Sequence, residues 1–235
     1  MENRVKKLLR YFSRTEWTLW MSSVALIAVS FAVFDRESHL TLCASLIGAT
    51  SLIFNAKGNP IGQALTIIFS ILYGIISYTF AYYGEMITYL GMTMPMAIFA
   101  LISWLRNPYK GNRAQVKVNS LKAKEILLML AAAALITLAF YFILKACGTA
   151  NTIPSTISVT TSFIAVYLTF RRSPLYALGY AANDIVLIVL WILATIEDMT
   201  YLSVVICFAM FLINDIYGFV NWRKMRKKQA TDSAE

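Results

Sequence analysis

The sequence is short of the residues that enzymes use. It holds one histidine, His39, and three scattered cysteines, Cys43, Cys147 and Cys207. Their odd number and wide spacing give no disulfide framework and no metal site; they read as small apolar residues. A single imidazole leaves few proton shuttles for acid–base catalysis. No Walker sequence is present, so nucleotide hydrolysis is not implied. No Ser/His/Asp or Cys/His set stands out. The chain is read as a non-enzyme that needs neither metal nor cofactor. Charge is scarce too, at 14% of residues, where soluble domains carry ~25%.

Apolar residues fill the gap, at 59% of the chain against ~45–50% in soluble domains. So much apolar surface cannot be hidden from water, and the solvent must be lipid. About 20 apolar residues cross the hydrocarbon core. About eight such segments are legible, at 17–34, 40–54, 60–82, 86–104, 125–146, 153–170, 174–195 and 199–220. Only helices and closed barrels satisfy every backbone group in lipid, and the runs lack the alternation of barrel strands. The expected fold is therefore all-α, a polytopic membrane helix bundle of about eight transmembrane helices.

The net charge of +9 would suggest nucleic acid in a soluble protein. In a membrane protein basic residues mark the cytoplasmic face, so the expected partner is the lipid bilayer, with no nucleic acid. An even number of spans puts both termini on one side. If that side is the cytoplasm, all but two of the 21 basic residues fall inside, the exceptions being Arg36 and Lys145. Asp35, Glu37, Glu85, Glu197 and Asp198 fall outside. The expectation is a multi-pass protein of the cell (plasma) membrane with both termini cytoplasmic. No small-residue cleavage site follows the first apolar run, which reads as a retained helix.

The chain also repeats itself. At an offset of 118, Tyr73 matches Trp191, Tyr83 matches Tyr201 and Trp104 matches Trp222. Pro60 and Pro174 open the second helix of each copy, and each copy ends in a Trp followed by basic residues. Chance recurrence of interfacial aromatics is the competing explanation. The repeat divides the chain into a basic N-terminus with an extra helix (1–39), a first three-helix repeat (40–104), a basic loop with a linker helix (105–146), a second three-helix repeat (147–222) and a basic tail (223–235). Three spans plus one linker span make the repeats parallel. Transporters so built place their substrate between the halves, near the midplane.

Charges inside a membrane are costly and mark function by default. Asp184 and Asp215 lie within predicted spans, each preceded by an Asn, Asn183 and Asn214. An amide donates and accepts while a carboxylate only accepts, which suits a ligand rich in hydroxyls and amides. The bland alternative is that each pair ties neighbouring helices together. Gln63 and Thr66 share a helix face, which Tyr73 extends. Trp191 follows Asp184 by about two turns, so a ring and a carboxylate on one stripe suggest a heteroaromatic cation, held partly by cation–π attraction. Thr160, Thr161 and Ser162 read individually as hydroxyls bonded to their own helix.

These residues carry a resemblance. Gly58-Asn59-Pro60-Ile61-Gly62, Tyr73-Gly74, Tyr83-Gly84-Glu85, Met94-Pro95-Met96 and Trp104, with the closing stretch from Asn214-Asp215-Ile216-Tyr217-Gly218 to Trp222, resemble the PnuC family of vitamin transporters over roughly 40–225. The resemblance implies a three-plus-one-plus-three helix core similar to the SWEET arrangement, an extra N-terminal helix and assembly as a homotrimer. It implies facilitated passage of nicotinamide riboside, with relatives for thiamine or riboflavin, and trapping by cytosolic phosphorylation. It suggests Gln63, Tyr83, Asn214, Tyr217 and Trp222 as site or gate residues. The chain departs from the family at Ser155, where an Asp is usual, at Ala177 and Tyr180, where tryptophans are usual, and at Asp184, where a neutral polar residue is usual. The expected function is facilitated uptake of a vitamin-like nucleoside, first of all nicotinamide riboside. The alternatives are a proton-coupled carrier of another vitamin and a non-transporting receptor of the same fold.

Overall fold

The computed structural model describes residues 11–79, 83–149 and 151–232. Arg4, Lys6, Lys7 and Arg10, and the end of the predicted third span at 80–82, lie outside the described residues. Eight helices are long and apolar enough to cross a membrane, so this is a multi-pass membrane protein. They are α1 (Arg14–Phe34), α2 (His39–Ala56), α3 (Pro60–Thr79), α4 (Tyr83–Arg106), α5 (Ala123–Ala146), α6 (Thr152–Phe170), α7 (Tyr176–Glu197) and α8 (Leu202–Thr231). The predicted segments fall on these helices with ends shifted by a few residues, apart from α8.

Local chemistry sets the ends. Ser13 caps α1, its hydroxyl accepting from the Glu16 amide at 3.2 Å while Glu16 accepts from the Ser13 amide at 2.7 Å. This reciprocal box satisfies two orphan donors at once. Inside α4 the stretch Thr88–Thr93 is a π-helix. Pro95 follows it and has no N–H to give to a carbonyl one turn back, so the wider turn absorbs the break.

Helices α2, α3, α4, α6, α7 and α8 form a closed ring, each packed on the next and α8 on α2. Helix α1 lies outside, across the seam of α2 and α8, and α5 lies outside against α6. Leu127, Leu128, Leu135 and Phe142 of α5 are exposed, as a lipid-facing helix requires. Within the ring α6 and α7 approach closely at Gly179, where a Cβ would stand 2.9 Å from the Ala165 Cα.

The predicted basic loop is more ordered than its composition suggests. Strands β1 (Pro108–Tyr109) and β2 (Asn112–Val116) pair antiparallel. Lys110 and Gly111 between them both have positive φ, 47° and 76°, the turn that matches strand twist. The predicted basic tail is helical as well, because α8 runs on to Thr231. Gln229 donates to the Val116 carbonyl at 3.0 Å and accepts from the Val118 amide at 2.8 Å. Tyr109 donates to Asp232 at 2.7 Å, and Lys110 stands 3.5 Å from the same oxygen. This clamp offsets the repulsion along Arg223–Lys228.

Two predictions follow from these contacts. Gly179→Val forces α6 and α7 apart and is expected to cost about 1–3 kcal/mol, read as a lower midpoint of thermal unfolding in detergent. The Tyr109 hydroxyl, helped by Lys110, holds the Asp232 carboxyl below its usual range. Its stabilising contribution is therefore present above the ordinary carboxylate pKa of about 4 and is lost as pH falls through the lowered value. Amide exchange at Val116 and Val118 should accelerate between pH 6 and pH 3, beyond its intrinsic pH dependence, and Asp232→Asn should abolish that extra change.

Candidate functional site

A cavity of about 50 Å³ lies inside the ring. All six ring helices contribute to it: Asn55 from α2, Thr66 from α3, Tyr89 and Thr93 from the π-turn of α4, Ser162 from α6, Tyr180, Asn183 and Asp184 from α7, and Phe208, Phe211 and Asp215 from α8. It is smaller than the ~300–1,000 Å³ of an ordinary ligand pocket, so a nucleoside enters only if the ring opens.

Its electrostatics are one-sided. Asp184 and Asp215 are 4% and 3% exposed, and both line this cavity. Asp184 Oδ2 is buried without a partner. No Lys, Arg or His lines the cavity among the described residues. Burying carboxyls in a low-dielectric site is expensive without a compensating positive group. The amides beside them are held rigidly. Ser158, Thr161 and Ser162 donate to Asn183 Oδ1 at 3.2, 2.8 and 3.0 Å. Gln63 donates to Asn55 Oδ1 at 2.8 Å, and Asn55 donates to Thr66 at 3.2 Å.

The sequence-predicted residues therefore separate. Thr66, Asn183, Asp184 and Asp215 meet at the cavity, and Gln63 lies behind Asn55, orienting it. Trp191 does not join Asp184. Seven residues along a helix are about 10 Å of rise, and the Trp191 indole instead donates to the Tyr73 hydroxyl at 3.0 Å, near the end remote from the basic loops. Asn214 turns away from the cavity, its amide donating to Ser23 of α1 at 2.9 Å. Tyr217 faces α1 too, donating to Glu16 at 3.2 Å, where Lys57 is also paired at 2.9 Å. Trp222 is fully buried, donating to the Asn55 carbonyl at 2.8 Å, with its ring 5.4 Å from Trp104. Tyr83 packs on Tyr78 at the surface. Of the departures, Tyr180 lines the cavity, Ala177 is packed in the core, and Ser155 lines a separate cavity.

Asn55, Tyr89, Thr93, Phe208 and Phe211 were not singled out from sequence. The Asn55 signal was an amide just before a helix end. Tyr89 and Thr93 gave none, because an α-helical register does not place them as the π-turn does.

A ring of apolar helices around a polar, acid-lined cavity defines a membrane carrier architecture. The family model described as nicotinamide mononucleotide transporter matches residues 38–224, and the chain belongs to that family. It is similar to the nicotinamide riboside transporter PnuC of Neisseria mucosa, 29% identical over 223 residues, covering 91% of this chain and 84% of the relative. It is similar to the nicotinamide riboside transporter PnuC of Haemophilus influenzae, 22% identical over 214 residues, covering 89% and 90%. Among solved structures, the crystal structure of the vitamin B3 transporter PnuC matches with a TM-score of 0.81 and 27% identity, covering 93% of this chain and 94% of the other.

The placement of Trp222 predicts a structural effect. Trp222→Phe removes the indole hydrogen bond to the Asn55 carbonyl, which keeps the Gly58 amide, and is expected to cost about 0.5–1.5 kcal/mol in thermal unfolding. Ligand affinity of the folded fraction should stay unchanged; an affinity loss at constant stability would return Trp222 to the binding site.

Proposed function

We propose that this protein carries nicotinamide riboside across the plasma membrane, by alternating access around the Asp184–Asp215 cavity, with both termini in the cytoplasm. One observation carries the reading: two carboxyls buried at one cavity among aromatic rings, with no basic side chain lining it among the described residues. A pyridinium nucleoside bears a permanent positive charge, a flat ring and a sugar rich in hydroxyls. The charge compensates the carboxyls, Tyr89, Tyr180, Phe208 and Phe211 accommodate the ring, and Thr66, Asn55 and Asn183 face the hydroxyls and the amide. The two PnuC relatives are named for that cargo. The family description names the mononucleotide instead, but its phosphate adds about −1.5 to −2 charges at neutral pH to a site already acidic. Trapping by cytosolic phosphorylation fits this preference, since the ester would be excluded from return.

The same proposal includes two parallel three-helix repeats, α2–α4 and α6–α8, with α5 as linker and α1 added. Residues related by the 118 offset meet across the ring, Tyr73 with Trp191 and Trp104 with Trp222, as residues near a two-fold axis do. This supports the three-plus-one-plus-three arrangement. Trimeric assembly, with the exposed apolar face of α5 turned to lipid or a neighbour, belongs to the proposal as well. One observation favours a second reading, a proton-coupled carrier: two carboxyls buried at one cavity that no Lys, Arg or His among the described residues lines are a place for a proton to bind. A pH gradient across liposomes separates the two, since an uncoupled carrier does not accumulate substrate against its own gradient.

The test is ligand-induced thermal stabilisation followed by uptake into proteoliposomes. Nicotinamide riboside is expected to stabilise the protein and to be taken up; its phosphate, thiamine and riboflavin are not. Asp184→Asn and Asp215→Asn should each weaken binding by about 1–3 kcal/mol. Equal stabilisation by the phosphate ester would reverse the charge argument, and no response to the riboside from a folded sample would refute the proposal.

A further inference from the structure

We infer that the outer end of the bundle holds a second binding site, an entry subsite that captures a flat heteroaromatic cation on Glu85, Glu197 and Trp191 before it reaches the central cavity. The inference rests on the cationic-cargo reading above. A cavity of about 80 Å³ opens there between α4, α6 and α7, lined by Glu85, Thr149, Asn151, Ser155, Trp191 and Glu197 among others. It shares no lining residue with the central cavity.

Its chemistry points to a missing positive group. Glu85 Oε2 and Thr149 Oγ1 are both buried without a partner, and both residues line this cavity. No Lys, Arg or His lines it among the described residues. Two carboxylates and an orphan hydroxyl around one hollow favour a cation. Trp191 forms part of the wall, and an indole is the ring most favourable to a cation against its face. Its N–H donates to Tyr73 and its ring packs on Tyr201 at 5.5 Å, so the indole is held in place in the wall.

Size narrows the ligand. The hollow is too small for a whole nucleoside, and its rim residues Asn151 and Glu197 are exposed. The charged ring enters while its N-substituent stays in solvent. The subsite therefore reads the pyridinium and ignores the sugar, which the central cavity reads. A polar line joins the two along α6: Ser155 lines the outer cavity, Ser158 one turn on donates to Asn183 at 3.2 Å, and Asn183 lines the central cavity beside Asp184.

The experiment uses the full chain carrying Asp184→Asn and Asp215→Asn, which disables the central site, and follows tryptophan fluorescence. The probes are the 1-methylnicotinamide cation and uncharged nicotinamide. The cation should quench saturably and nicotinamide should not; Trp191→Phe should remove the quench. Glu85→Gln and Glu197→Gln should each weaken it, Glu85→Gln by about tenfold or more. In the otherwise native chain, Glu85→Gln should raise KM for nicotinamide riboside uptake by a similar factor with little change in kcat. Equal quenching by nicotinamide, or quenching unmoved by both carboxylate variants, overturns the inference. If Glu85→Gln fails to fold, the exposed Glu197→Gln decides alone, and an unchanged quench there overturns it. Riboside uptake without any cation quench sinks this subsite and spares the transport proposal. A saturable cation quench in a protein that moves no riboside does the reverse.

Discussion

The last turn of α2 holds the ring together. In lipid no water takes up an unsatisfied polar group, so each must find its partner inside the bundle, and Asn55 engages every polar atom of its side chain there. Its Oδ1 accepts from Gln63, its Nδ2 donates to Thr66, and its carbonyl accepts the Trp222 indole and the Gly58 amide. The Thr66 hydroxyl already donates to the Gly62 carbonyl, so its oxygen needs a donor, while Gln63 needs an acceptor. Only an amide supplies both, and an Asp at this position would leave Thr66 unserved. Gly62 belongs to the same constraint, because a Cβ there would run into the Asn55 side chain. One residue thus fixes α2 against α3 and α8 and also presents its side chain to the cavity.

Against that thoroughness the carboxyl pair is conspicuous. Asn183 receives three hydroxyls, yet Asp184 Oδ2 one residue on has no partner. A sequence optimised for stability alone would place an apolar residue at such a point, since paired apolar replacements for buried ions are often neutral or stabilising. Local rules broken without a compensating partner are expected where function demands them. The pair lies where all six ring helices converge, so any motion that separates the halves of the ring changes its surroundings first.

The fold was largely legible because the solvent writes it: a run of about 20 apolar residues has few alternatives in lipid. What escaped was set by tertiary neighbours. The run Arg223–Lys228 reads as a solvated tail, and its helix persists because Gln229 and Asp232 grip a hairpin that composition does not reveal. In the site, Asp184, Asn183, Asp215 and Thr66 were visible as polar residues in apolar runs. Asn214 and Tyr217 were visible for the same reason, but they face α1. Neighbouring residues on a helix point about 100° apart, and on α8 the docked extra helix takes Asn214 while Asp215 faces the cavity. Trp191 failed by distance rather than by face. Tyr89 and Thr93 failed because a π-turn changes the register that any 3.6-residue pattern assumes.

Two carboxyls rather than one also set how charge is counted at the centre. Were one proton shared between them, the pair would carry a single negative charge, which a pyridinium would bring to zero. A neutral loaded site is the state that passes most cheaply through a closed, low-dielectric intermediate, because an ion left unbalanced there costs several kcal/mol. A phosphate ester of the same cargo would then leave the loaded site negative by about 1.5 to 2 charges and make closure the step that rejects it. On the proposed reading, discrimination against the phosphorylated form needs no group that recognises phosphate: it would follow from closing an acidic cavity that no Lys, Arg or His among the described residues lines.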